Sequence, residues 1–258
     1  MADALLDQEA HDFVRAIHTP IRTHVPPRLS PGLRGAERFD VETPAGRIAA
    51  WRRGEGAAVL LVHGWEDDNT LWDQMIEGFA AVGRPIVVME LPGHGHSADT
   101  ICSPASAAAA VRAVAAALGP IDAAVTHSFG GPATGDAVAQ GAGLRRLALI
   151  APPQAVGGGR YWERQAETHG VDEEVLARAR ELYTDHGLFD LTAEGPHKHA
   201  AALLLHSRDD DLVRFQTSER IAAAWPGAEV FMIDGYGHRR VAQNDAIVAR
   251  AVDFIQAG

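Results

Sequence analysis

The sequence predicts an α/β protein, a mostly parallel central sheet with helices on both faces. Short apolar runs at 59–62, 86–89, 121–125, 147–151, 201–205 and 229–233 alternate with helix-length segments, the order that builds a parallel sheet. Several of these runs lack the period-two alternation of a half-exposed strand, as strands buried on both faces do. The chain has 258 residues, 47% of them hydrophobic and 22% charged, so it can bury such a core without disulfide or metal staples.

Taken in order, residues 4–17 read as a helix followed by a Pro-rich segment, and residues 1–36 are expected to form an N-terminal helical extension on the outside. Residues 38–41 and 48–51, joined by Pro44-Ala45-Gly46, read as an antiparallel hairpin at the sheet edge. Helices are expected at 71–82, 105–118, 130–140, 217–225 and 246–256. The stretch from Ala105 to Ala117 is rich in the strongest helix former. Ser103-Pro104 precedes it and Gly119-Pro120 stops it. Residues 37–152 and 199–258 are expected to make the core. Residues 153–198 interrupt it with Gly157-Gly158-Gly159 and a helix at 172–185, the length of a cap or lid.

Charge and composition narrow the function. Lysine and arginine number 23 against 34 aspartates and glutamates, a net charge of −11, which repels nucleic acid and anionic membrane surfaces. No apolar run approaches the ~18 residues of a membrane span. The first residues, MADALLDQEAHDF, lack the basic and apolar regions of a secretory signal, so a cytoplasmic location is expected. Cys102 is the only cysteine, which excludes an internal disulfide and a Cys-based zinc site.

The sharpest local signal is Val125-Thr126-His127-Ser128-Phe129-Gly130-Gly131. An apolar strand runs into Ser128 and a small-residue helix leaves it. That puts a serine on a tight turn at the carboxyl edge of the sheet, where open α/β sheets bind ligands, with a helix N-terminus aimed at it. A strand–helix turn without chemistry is the plainer alternative. Three further strand ends carry polar segments: His63-Gly64-Trp65-Glu66, His206-Ser207-Arg208-Asp209-Asp210-Asp211-Leu212-Val213, and Asp234-Gly235-Tyr236-Gly237-His238-Arg239-Arg240.

These segments, in this order and on these elements, resemble the α/β-hydrolase family over about residues 38–256. The resemblance implies the α/β-hydrolase fold with a small helical cap insertion. Ser128 then matches the nucleophile of the family's G-x-S-x-G elbow, with Thr126 in place of the first glycine and Gly130 matching the second. Backbone N–H groups of Trp65 and Phe129 would form the oxyanion hole. The acid would be Asp210, four residues after His206, with Asp209 and Asp211 as competitors. The base would be His238, taking the Ser128 proton and returning it to the leaving group. Glu90-Leu91-Pro92-Gly93-His94-Gly95-His96-Ser97 is similar to the family's D-x-P-G-H-G-x-S turn, with Glu90 for Asp, and reads as structural rather than metal-binding. His63 is likewise expected to bond the backbone.

The implied function is a serine hydrolase that cleaves a small carboxylic ester through an acyl-enzyme, with no cofactor and no metal. Acyl transfer, C–C bond hydrolysis and a non-catalytic ligand-binding member are the alternatives; a dehalogenase is disfavoured because position 128 is not Asp. The expected partner is a small molecule with a hydrophobic group, and the oligomeric state and substrate-binding residues are left open. Tyr161, Trp162, Leu182, Tyr183, Leu188 and Phe189 would line a pocket or form the insertion's own small core. Arg160 and Arg164 would meet an anion or be solvated. Arg239 and Arg240 would sit near the site mouth or pair with acids of the N-terminal segment.

Overall fold

Helix α1 (Ala2–His18) leads into an antiparallel hairpin, β1 (Glu37–Thr43) and β2 (Gly46–Arg53), paired from Thr43↔Gly46 outward. Gly46 closes the turn at φ +94, a conformation that costs glycine little. The remaining strands are β3 (Ala58–Val62), β4 (Ile86–Met89), β5 (Ile121–His127), β6 (Arg146–Ile150), β7 (Ala201–Ser207) and β8 (Glu229–Ile233). They form one eight-stranded sheet in the order β1-β2-β4-β3-β5-β6-β7-β8. Only the β1–β2 and β2–β4 pairings are antiparallel. This is a computed structural model, and it describes residues 2–156, 161–183 and 189–257. Gly157, Gly158, Gly159, Arg160 and Leu188 lie outside the described residues.

Strand β3 shows why the apolar runs do not alternate. Leu60 and Val62 enter one core, with residues of α3 (Pro104–Ala117), α4 (Gly130–Ala139) and α7 (Gln216–Ala223). Val59 and Leu61 enter the other, against α2 (Asp73–Ala81) and α9 (Asp245–Gln256). Both faces of the sheet are covered, so every β3 side chain is buried. Helix α3 begins with a reciprocal cap: Ser106 N donates to Ser103 Oγ at 3.1 Å, and Ser103 N to Ser106 Oγ at 2.9 Å. Such caps are worth about 1 kcal/mol. The helix expected at 71–82 divides into a 3₁₀ turn, Asn69–Trp72, and α2.

The N-terminal helix has a partner that the sequence does not name. Its apolar stripe, Ala10, Phe13, Val14 and Ile17, does not simply rest on the core. It forms a third cluster with Ala166, Val175, Leu176 and Ala179 of α5 (Tyr161–His169) and α6 (Glu173–Leu182). Tyr161, Trp162, Leu182 and Tyr183 pack against this cluster, whereas Phe189 packs against the main core. The small core considered for the insertion is thus shared with residues far away in the chain. Helix α5 escapes the sequence because Ala166 is its only fully buried residue, which leaves no apolar period to read.

Candidate active site

The turn from β5 into α4 holds Ser128 at φ +47, a left-handed conformation rare for a side-chain-bearing residue. Ser128 N donates to Ile150 O at 2.9 Å, and Gly131 N donates back to Ser128 O at 2.9 Å. Strain of this kind, roughly 1–3 kcal/mol, persists only where the surroundings enforce it. Close backbone packing does so here. A Cβ on Gly130 would lie 2.5 Å from Val62 O and 2.6 Å from His63 O, and one on Gly64 would lie 3.0 Å from Ser128 Cβ. The end of β3 and the serine turn are therefore pressed together. Thr126, at the position where the family pattern has glycine, is simply the buried penultimate residue of β5, paired in register with Val62 and Leu149.

Gly130→Ala is expected to destabilise the fold by about 3 kcal/mol, because the obstructing atoms are backbone carbonyls that cannot rotate aside. Thermal unfolding should shift down by roughly 6–12 °C; an unchanged midpoint would show that this approach is looser than described.

His238 reaches the serine from α8 (Gly237–Arg240), a single helical turn rather than the open loop expected. Its Nε2 lies 2.9 Å from Ser128 Oγ and its Nδ1 lies 2.7 Å from Asp210 Oδ2. With Nδ1–H donated to the carboxylate, Nε2 is free to accept the serine O–H. Asp210 is buried, and its other oxygen, Oδ1, accepts from Leu212 N at 2.9 Å and Val213 N at 2.8 Å. Burial opposes ionisation, but hydrogen bonds from His206, His238 and the Val213 amide hold the carboxyl well below the usual carboxylate range. It is an anion wherever His238 could act as a base.

The neighbouring acids go elsewhere. Asp209 Oδ1 accepts from Gly235 N at 2.9 Å and Gly237 N at 3.3 Å, and from the Ser207 hydroxyl. The Ser207 bond foremost, then these amides, bring its carboxyl down to about 2. Asp209 thus ties down the loop that carries His238, neither capping α7 nor facing water idly. Asp211 is exposed. Asp234 pairs with Arg208 at 3.0 Å on the surface.

Sequence reading gave no role to His206. Its Nε2 lies 3.0 Å from Asp210 Oδ2 and 2.8 Å from Val213 O, and Ser218 Oγ donates to its Nδ1 at 2.7 Å. His127, Asp67 and Arg239 form a second missed group beneath the serine turn. Arg239 pairs with Asp67 of the loop after β3, not with an acid of the N-terminal segment, and Arg240 is exposed. His63 bonds the backbone on both sides, to Gly64 O at 2.7 Å and from Leu91 N at 3.0 Å. Glu90 accepts from the Asn69 side chain at 2.5 Å inside its turn, and burial, then nearby His63, pushes His94 down to about 3. Among the described residues, no group of three His, Cys, Asp or Glu side chains is arranged to hold a metal ion.

Ser128 opens into a cavity of about 580 Å³. Trp65 and Phe129 line it, their rings edge-to-face at 5.7 Å. Among the described residues, neither of their backbone N–H groups is used in a turn or ladder. Ile17 and His18 at the end of α1, with Tyr161 and Arg164 of α5, also line the cavity. Arg164 is exposed. No helix among the described residues is long and apolar enough to cross a membrane.

A doubly covered α/β sheet with a serine on the strand-to-helix turn, and an acid and a histidine following later strands, defines a class of protein. The chain belongs to the alpha/beta hydrolase family, whose model matches residues 59–251. It is 32% identical over 167 residues to the esterase Rv0045c of Mycobacterium tuberculosis, a match covering 62% of this chain and 54% of that protein. A 47-residue stretch is 38% identical to a pimeloyl-[acyl-carrier protein] methyl ester esterase of Vibrio campbellii, covering 18% of each chain. The matched stretches thus span about half, or less, of the length of these relatives. Among solved structures, alpha/beta hydrolase domain-containing protein 10 from mouse shares the fold at a TM-score of 0.67 and 18% identity, covering 86% of this chain and 98% of that one.

Proposed function

We propose that the protein is a serine hydrolase that cleaves a small carboxylic ester through an acyl-enzyme. The observation that carries this reading is the unbroken chain of contacts from Ser128 Oγ to His238 Nε2 and from His238 Nδ1 to Asp210. Ser128 Oγ attacks the ester carbonyl carbon while its proton passes to His238 Nε2. Asp210 keeps Nδ1 protonated and offsets the positive charge on the ring. The carbonyl oxygen, now an anion, is held by the N–H groups of Trp65 and Phe129, each such donor being worth ~2.7–4 kcal/mol. Collapse expels the alcohol, which takes the proton from His238. Water then enters, gives a proton to His238 and attacks the acyl carbon; collapse breaks the bond to Ser128 Oγ, which takes that proton back from His238 as the acid leaves.

The largely apolar cavity suits a small ester with a hydrophobic group, and the esterase names of the two relatives point the same way. The test is reaction of the folded chain with a fluorophosphonate probe, followed by peptide mapping. The adduct is expected on Ser128 and on no other serine. A folded chain that stays unlabelled would favour the non-catalytic, ligand-binding alternative.

A further inference from the structure

We propose that Asp67 is a positioning residue: its buried carboxylate clamps the loop after β3 to the serine turn through His127, and to the turn that carries His238 through Arg239. This rests on the reading of Ser128, His238 and Asp210 as the reacting group, and adds residues that touch neither the substrate nor the reacting atoms.

Two contacts made by His127 start the argument. It sits immediately before Ser128, almost fully buried, with Nδ1 3.2 Å from Asp67 Oδ2 and Nε2 2.9 Å from the backbone carbonyl oxygen of His238. Both partners are acceptors. The ring thus stands between the Asp67 carboxylate and the His238 backbone, with one nitrogen toward each. Arg239 brings a cation to the same carboxylate, donating to Asp67 Oδ1 through its guanidinium. Its Nη2 also donates to Glu66 O at 3.2 Å.

These bonds grip His238 along its backbone. His127 holds its carbonyl oxygen, and Asp67 holds the residue that follows it. The ring is held separately, by Asp210. Asp67 is also two residues from Trp65, whose N–H is a proposed oxyanion donor. One carboxylate thereby links the donor loop, the nucleophile turn and the base turn, which come from three different strand ends. Burial opposes its charge, but the His127 hydrogen bond and the His127 and Arg239 charges, with His63 nearby, hold Asp67 down to about 2. The contacts tie His127, next to Ser128, to the backbone of His238 and to Arg239, across the two turns whose separation sets the Ser128–His238 distance.

The test uses Arg239→Gln, Arg239→Lys and Asp67→Asn in the full chain, assayed on a short-chain aryl ester beside Ser128→Ala. The Arg239 side chain is 54% exposed, so its removal does not empty a core site. Arg239→Gln and Asp67→Asn are expected to lower kcat about 10- to 100-fold with KM within about twofold, because a displacement near 1 Å costs that much. Arg239→Lys should recover part of the loss, and fluorophosphonate labelling should slow in parallel. Wild-type kcat in Arg239→Gln would overturn the proposal, as would a loss that only tracks the unfolded fraction or falls entirely on KM. If Ser128→Ala is inactive while both clamp variants turn over normally, the clamp fails and the triad reading stands; if Ser128→Ala keeps turnover, both fall.

Discussion

Ser128→Ala is expected to lower kcat for a short-chain aryl ester about a millionfold while leaving the fold intact. Removing the hydroxyl removes the attacking oxygen of the proposed acyl-enzyme, so His238 and Asp210 are left with only water to activate. Losses of this size follow when a member of such a unit is removed, and the remaining rate comes from carbonyl polarisation and binding alone. Alanine at φ +47 also keeps the strain of the turn without the serine's chemistry, so the variant should be no more stable than the parent. Purified protein, circular dichroism and initial rates suffice as measurements. Turnover above about one part in a thousand would mean that another group attacks the ester.

Asp210→Asn is expected to cost about four orders of magnitude in kcat, through tautomer control rather than lost charge alone. The Leu212 and Val213 amides both donate to Oδ1. In the variant they select the amide oxygen for that position, so the amide nitrogen faces His238. That nitrogen donates, so Nδ1 must accept, and the ring hydrogen moves to Nε2. A donor then faces the Ser128 hydroxyl at 2.9 Å, where an acceptor is needed. The loss should appear in kcat with KM little changed. Asp209→Asn should not reproduce it, since Asp209 makes no contact with the His238 ring. Equal losses from the two substitutions would contradict the assignment of Asp210.

The strands of the sheet and the candidate residues at their ends were legible because each depends on local pattern, whereas the order β1-β2-β4-β3-β5-β6-β7-β8 was not. An apolar run that ends in a polar or glycine-rich segment marks a strand end, and Ser128, Asp210 and His238 each follow such a run. Parallel strands deliver their carboxyl ends to one edge, so separate segments converge without any long-range signal. Asp67 and Arg239 were not legible for the opposite reason. They are 172 residues apart, and nothing in the spacing of either names its partner. The division of labour among Asp209, Asp210 and Asp211 depended on which carboxylate meets the glycine amides of another loop, a matter of angles around one turn. The partner of α1 was likewise hidden: an amphipathic helix announces that one face is buried, but not against what.

Helix α1 supplies a wall of the cavity, yet it lies outside the stretch, residues 59–251, that the family shares. Part of the cavity's lining thus comes from a stretch of chain separate from the one that carries Ser128. A substitution in α1 at Ile17 or His18 would change part of the cavity's lining while leaving the serine turn untouched. Relatives that align well through the sheet should therefore differ most in appetite where their leading helices differ, and grafting that helix between them is a direct way to exchange preference.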